Sequence, residues 1–156
     1  MITKATLDNV SEITILVNSA YRGETSKKGW TTEANILEGT RISENELTET
    51  LSDANNTILV YQENNKIIGT VLLTNKTTEL YLGMLTISPE LQNAGLGKKL
   101  LQAAEDFARS LHLPKIVMTI ITIREELIGW YKRNGYRDTG KREPFPANFD
   151  DVVLHA

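Results

Sequence analysis

The residues best suited to chemistry lie in Gln92-Asn93-Ala94-Gly95-Leu96-Gly97, a small-residue segment that runs into the most periodic stretch of the chain. Leu96, Leu100, Ala103, Ala104, Phe107, Ala108 and Leu111 recur at the spacing of one helical face, over about four turns. A helix start leaves N–H groups unpaired, and the macrodipole adds partial positive charge there. Such an end binds phosphate wherever the ligand can reach the backbone. Gly95 and Gly97 remove side chains that would block that approach. Three phosphate-loop patterns compete for the segment. The P-loop needs Gly five positions before its Gly-Lys-Ser/Thr element, but Gln92 stands there and Lys99 replaces the hydroxyl residue. The dinucleotide fingerprint needs a third glycine where Leu100 stands, and belongs in a first strand-helix unit. What remains is Gln-x-x-Gly-x-Gly, met by Gln92, Gly95 and Gly97.

Composition narrows the chemistry further. The chain has 156 residues and no cysteine, which excludes disulfides, thiolate metal sites and a cysteine nucleophile. Seventeen Lys and Arg against 20 Asp and Glu give a net charge of −3, so nucleic acid is not the expected partner. The longest apolar run, around Ile116–Ile123, is far short of the roughly 20 residues of a membrane span. Met1-Ile2-Thr3-Lys4-Ala5-Thr6 lacks the apolar core of a secretory leader. A cytoplasmic protein with no membrane partner and no metal is expected.

The elements that must hold the loop can be read along the chain. Residues 2–6 alternate weakly and predict a first strand. Asp8 or Asn9 can cap a helix bearing Val10, Ile13, Leu16, Val17 and Ala20 on one face. Periodicity is lost from Tyr21 to Arg41. Ser43-Glu44-Asn45-Glu46 is a capping box that opens a second helix, with Leu47 and Leu51 inward. Two β-rich runs, 57–63 and 66–74, flank a hairpin turn at Asn64-Asn65, and a third run spans 77–87. After the periodic helix, a strand at 115–122, a helix at 125–134 stopped by Gly135, and two strands near 136–140 and 151–155 complete the order. No linker or repeat divides the chain. One domain over 1–156 is expected, of α/β (α+β) class, with a mixed sheet and helices on both faces.

The strand, turn and loop Met84–Gly97 resemble motif A of the GNAT superfamily of acyl-CoA N-acyltransferases: an aliphatic strand end, Pro89 two residues after Ile87, then Gln-x-x-Gly-x-Gly. Trp130-Tyr131-Lys132-Arg133-Asn134-Gly135-Tyr136 resembles that family's aromatic-Tyr-x-x-x-Gly-aromatic motif. Two motifs about 35 residues apart, in the family's order of elements, are together specific where either alone is weak. The resemblance implies a mostly antiparallel central sheet of about six to seven strands, with acetyl-CoA as co-substrate. It assigns strand contacts to Leu85, Thr86 and Ile87, and the pyrophosphate cradle to Gln92, Asn93, Ala94, Gly95, Leu96, Gly97 and Lys98. One departure is Arg124, which stands where many members carry an Asn that bonds the pantetheine.

The activity implied is transfer of acetyl from acetyl-CoA directly to a primary amine of a small molecule or a peptide or protein. Direct attack is the expected route, because no cysteine can carry the acetyl group. By its place in the motif, Tyr131 is the candidate acid for the departing thiolate. Glu79 and Tyr81, two residues apart on the strand leading to the site, are the candidates for the base. Tyr21, Arg22, Trp30 and Glu33, among glycines, have the composition of a substrate-binding loop, which a solvated loop matches equally well. The rival reading is a non-catalytic acyl-CoA sensor. Homodimerisation is left open.

Overall fold

Asn64 and Asn65 set the first long-range pairing. Both take left-handed backbone angles, φ 52° and 62°, which asparagine tolerates and a two-residue hairpin demands. They join strands that the element order calls β2 (Asn56–Glu63) and β3 (Lys66–Asn75), in a computed structural model that describes residues 1–21, 42–91, 95–121, 125–144 and 150–155. The remaining strands are β1 (Ile2–Lys4), β4 (Leu80–Ile87), β5 (Ile116–Ile121), β6 (Arg137–Pro144) and β7 (Asp150–His155). The helices of the described residues are α1 (Val10–Tyr21), α2 (Glu44–Ser52), α3 (Leu96–Ser110) and α4 (Glu125–Arg133). The expected order of elements is therefore observed.

The strands form one seven-stranded sheet in the order β1-β2-β3-β4-β5-β7-β6. Every neighbour pair is antiparallel except β4 and β5, which run parallel because α3 carries the chain back between them. The central strands are buried on both faces, which is why Ile58-Leu59-Val60-Tyr61 reads as an unbroken apolar run. Ile58 and Val60 pack with Val10, Ile13, Leu16 and Val17 of α1 and Leu47 of α2. Leu59 and Tyr61 join Leu96, Leu100, Leu101, Ala104 and Ala108 of α3 on the opposite face, together with Tyr131 and Tyr136. Helices thus cover both faces, as expected.

Boundaries differ in instructive ways. The start of α1 is fixed earlier than Asp8 or Asn9: Thr6 precedes a 3-10 turn, Leu7–Asn9, and Asn9 Oδ1 reaches back to the Thr6 N–H at 2.9 Å. Ser43 caps α2 as its sequence predicts, accepting from the Glu46 N–H at 3.1 Å, while Glu46 accepts from the Ser43 N–H at 3.2 Å. Strand β4 begins at Leu80 and not at residue 77. Thr77 has φ 74° and donates its N–H to Asn75 Oδ1, so Lys76–Glu79 is a turn. Among the described residues no helix is long and apolar enough to cross a membrane.

Candidate active site

Two features of β4 make a crevice. Its pairing with β5 lasts only two residue pairs, Leu80 with Ile116 and Tyr81 with Val117, after which β5 pairs only with β7. Among the described residues, the β5-side edge of β4 from Leu82 to Ile87 therefore has no strand partner. An unpaired strand edge offers amides and carbonyls to an extended ligand. The second feature is a β-bulge: β3 residues Thr70 and Leu72 face Thr86 and Gly83, so β4 carries one extra residue. Met84 lies in this bulge with φ 51°, a conformation that costs a non-glycine residue about 1–2 kcal/mol. The extra residue also switches faces. Leu82 and Ile87 both join the α3 cluster although five residues apart, while Met84 packs against the α1 cluster.

The bulge places the three strand residues singled out by sequence. Leu85 packs against the α3 cluster. Thr86 is fully buried, and its hydroxyl donates to the Met84 carbonyl at 3.1 Å. Ile87 is buried and ends the strand one residue before Ser88 and the buried Pro89.

The start of α3 then stands beside the end of β4. Gly95 is its N-cap, with φ 77°, and a Cβ there would meet nothing within 4 Å. That position has both the turn only glycine makes cheaply and the open space a ligand needs. Gly97 differs. It is buried, and a Cβ on it would lie 3.4 Å from the Trp130 ring and 3.9 Å from Ile87. At Gly97 α3 thus lies close to α4, near enough that a methyl would just touch the Trp130 ring. Leu96 puts its side chain into the core, while Lys98 is exposed in the first turn. Gln92, Asn93, Ala94 and Arg124 lie outside the described residues.

The ends of the helices differ electrostatically. At α2, Ser43 closes the start and Glu44 and Glu46 occupy the first turn. α4 carries Glu125 and Glu126 there. At α3 the N-cap is Gly95, which has no side chain to cap with, and the first turn has no acid, so among the described residues nothing offsets the positive end of the helix dipole. A glycine-capped, acid-free helix start beside an unpaired strand edge fits a ligand with a phosphate group and an amide-bearing arm, which is the chemistry of coenzyme A.

Tyr131 lies on α4 inside the α3-side core, only 3% exposed. Its ring meets Trp130 edge-on at 4.9 Å and Tyr136 at 5.7 Å between centroids. Part of the second sequence motif is explained by the helix end itself. Tyr136 N–H donates to Tyr131 O at 3.1 Å, Gly135 N–H to Lys132 O at 3.1 Å, and Gly135 has φ 97°. This is a Schellman termination, whose customary apolar contact is here the Tyr131–Tyr136 ring pair. The Tyr136 hydroxyl donates to Glu105 Oε2 on α3 at 3.2 Å. Burial, then the Glu105 carboxylate, push the Tyr136 phenol well above its usual range, so it stays protonated. Sequence reasoning missed Glu105, Met84 and the closeness of Gly97 to Trp130. Only the break in period two between Leu82 and Ile87 hinted at the bulge.

The two base candidates lie at the start of β4. Tyr81 is half-buried at the apex of the crevice, in the last β4–β5 pair. Glu79 precedes the strand, and its carboxylate lies 3.8 Å from Lys115 Nζ. Glu79 lies six positions before Leu85, at the far end of β4 from the bulge. Glu79 stands one residue before β4 begins at Leu80, just after the turn at Thr77. Of the substrate-loop candidates, Tyr21 ends α1, and Arg22, Trp30 and Glu33 lie outside the described residues. That segment returns at Ile42, whose N–H and C=O are both held by the Asn18 side chain of α1, at 3.1 and 3.0 Å.

The model of the acetyltransferase (GNAT) family matches residues 22–136, and the chain belongs to that family. The class is that of acyl-CoA-dependent N-acyltransferases, with acyl-coenzyme A as co-substrate. Among solved structures, the ribosomal-protein-S18-alanine N-acetyltransferase of Escherichia coli is similar at 13% identity and TM-score 0.76, covering 99% of this chain and 91% of that one. The PaiA N-acetyltransferase of Thermoplasma acidophilum, in complex with coenzyme A, has 16% identity and TM-score 0.74, with 99% and 96% covered. An aminoglycoside 6'-N-acetyltransferase complexed with coenzyme A has 13% identity and TM-score 0.77, with 100% and 96% covered. No curated protein sequence matches the chain significantly.

Proposed function

We propose that the protein transfers acetyl from acetyl-CoA directly to a primary amine, on a small molecule or on a peptide or protein. The observation that carries this reading is the glycine-capped, acid-free start of α3 beside the unpaired edge of β4. In the proposal, the amides of Gly95 through Lys98 hold the pyrophosphate. The free edge from Leu82 to Ile87 takes the pantetheine arm as an added strand, and a backbone N–H at Leu85 or Thr86, re-aimed by the bulge, polarises the thioester carbonyl. An alkyl ammonium has a pKa of about 10.4 and must lose a proton before it attacks. Tyr81 at the crevice apex can order a water for this step, and its place makes it a better candidate than Glu79. Tyr131 protonates the departing thiolate. The similar proteins are named for acceptors as different as a ribosomal-protein alanine and an aminoglycoside, and their breadth supports no narrower acceptor class.

The test is a thermal-shift series followed by an amine screen. Acetyl-CoA and coenzyme A should raise the melting temperature by mass action, and NAD and ATP much less. Coenzyme A release from acetyl-CoA is then read with amines, peptides and proteins. An equal shift with NAD and none with coenzyme A refutes the cofactor assignment. Tight coenzyme A binding with no acceptor acetylated would favour an acyl-CoA sensor.

A further inference from the structure

One buried polar contact stands outside every step so far, the bond from the Tyr136 hydroxyl to Glu105. Core packing does not ask for it. A phenylalanine would fill the same space between Tyr131 and α3 with no hydroxyl to satisfy, and an apolar pair in place of a buried polar one is often nearly neutral for stability. Instead a 3%-exposed phenol is tied to a half-buried carboxylate, so the contact is specific in direction as well as in volume.

The contact joins two elements at a telling place. Tyr131 is gripped by Tyr136 twice, through the Tyr136 N–H on its carbonyl at 3.1 Å and through the ring pair at 5.7 Å. Tyr136 is fixed in turn to Glu105 in the middle of α3. On the other side, Trp130 meets Tyr131 at 4.9 Å and lies against Gly97 in the first turn of the same helix. The ring of Tyr131 is thus bracketed by two residues that both rest on α3. One bracket is a ring contact; the other adds a hydrogen bond of fixed geometry to α3.

We propose that Tyr136 and Glu105 are positioning residues, a cross-brace that registers Tyr131 against α3 so that its hydroxyl meets the leaving sulfur of the thioester. This rests on the reading of Tyr131 as the acid. Neither brace residue moves a proton in the reaction. Their effect is on where the Tyr131 hydroxyl stands, and a misplacement of about 1 Å can cost about 10²-fold in rate.

The experiment compares Tyr136→Phe, Glu105→Ala and Glu105→Gln, each alone and on a Tyr131→Phe background. Coenzyme A affinity is measured by titration calorimetry, and turnover as coenzyme A release from acetyl-CoA with water as acceptor, so that no cognate amine is needed. The Tyr131 ring resonance is followed in protein carrying ¹³C-labelled tyrosine and saturated with coenzyme A. Tyr136→Phe and Glu105→Ala should lower kcat by roughly 10- to 100-fold with coenzyme A affinity unchanged, and should shift or broaden the Tyr131 resonance. Glu105→Gln keeps an acceptor oxygen and should restore most of the rate. On the Tyr131→Phe background neither brace variant should cost more, because the group they position is gone. Wild-type kcat and an unmoved Tyr131 resonance in Tyr136→Phe would overturn the brace. So would an equal further loss on the Tyr131→Phe background. Unchanged turnover in Tyr131→Phe alone refutes the acid reading instead, and the resonance then decides the brace independently.

Discussion

The tyrosines separate by what surrounds them. Tyr131→Phe keeps the ring pairs with Trp130 and Tyr136 and removes only the hydroxyl. If that hydroxyl serves the leaving thiolate, turnover should fall about 10²–10⁴-fold while coenzyme A affinity holds, which steady-state rates beside calorimetry will read. Tyr136 makes a prediction about stability. Its folded-state pKa lies above the unfolded value of about 10, so the folded state holds a proton that the unfolded chain releases. By linkage this contribution is fully present below about pH 10 and is lost as pH rises beyond it. Urea midpoints taken from pH 8 upward should therefore fall above about pH 10, and the fall should be shallower in Tyr136→Phe. Parallel curves for the two proteins would contradict the assignment.

At the scale of elements, helix ends decide most of what the sequence could and could not disclose. The capping box at Ser43, the hairpin at Asn64-Asn65 and the glycine stop at Gly135 were legible because each is a local contract between a residue type and a backbone angle. The apolar faces of α1 and α3 were legible because burial imposes the helical period; Leu101 was missed because it widens the stripe beyond the positions counted. The bulge in β4 left no signal beyond a break in the period-two pattern. Its left-handed residue is Met84, a type that carries no turn signal, and it is held there by packing from α1 and pairing with β3, both long-range. Glu79 was placed on the strand for a similar reason, since the turn at Thr77 uses a threonine at φ 74°. His112 is a third such case. It occupies the left-handed position after α3 with φ 58°, and Leu113 N–H closes on Ala108 O at 2.9 Å, a role glycine fills without strain. His112→Gly should then stabilise the fold by up to about 1 kcal/mol, the relief of left-handed strain outweighing the added chain entropy. A lower denaturation midpoint in that variant would mean that the exposed imidazole holds a contact of its own. The two glycines of the loop should behave differently under calorimetry with coenzyme A. Gly95→Glu should lose binding with little change in folding beyond the cost of its backbone angle, whereas Gly97→Ala, whose Cβ only reaches contact distance of the Trp130 ring, should leave folding nearly unchanged.

For the molecule as a whole, the fork in the sheet is where fold and function meet. Among the described residues, the seam between β4 and β5 opens after Tyr81 and Val117, leaving the facing edges of β4 from Leu82 and of β5 from Met118 without a strand partner, while β5 keeps β7 on its other edge. A sheet interior with unpaired backbone is costly unless something supplies the missing bonds. Where no ligand supplies them, the amides concerned should exchange with solvent readily. An amide-bearing arm laid along the β4 edge would supply those bonds and also tie β4 to the start of α3, where the phosphate groups would be held. The expectation is a local one. On adding saturating coenzyme A, hydrogen exchange should slow most in Leu82–Ile87 and the first turn of α3, by more than in β2 and β3, which are paired on both edges already. The edge strand β1 should be unaffected. Exchange followed by peptide mass spectrometry distinguishes this from general tightening of the fold, which any stabilising ligand produces to some degree by mass action. Protection spread evenly over all strands, or confined to α1 and α2, would place the ligand elsewhere and remove the fork from the binding site.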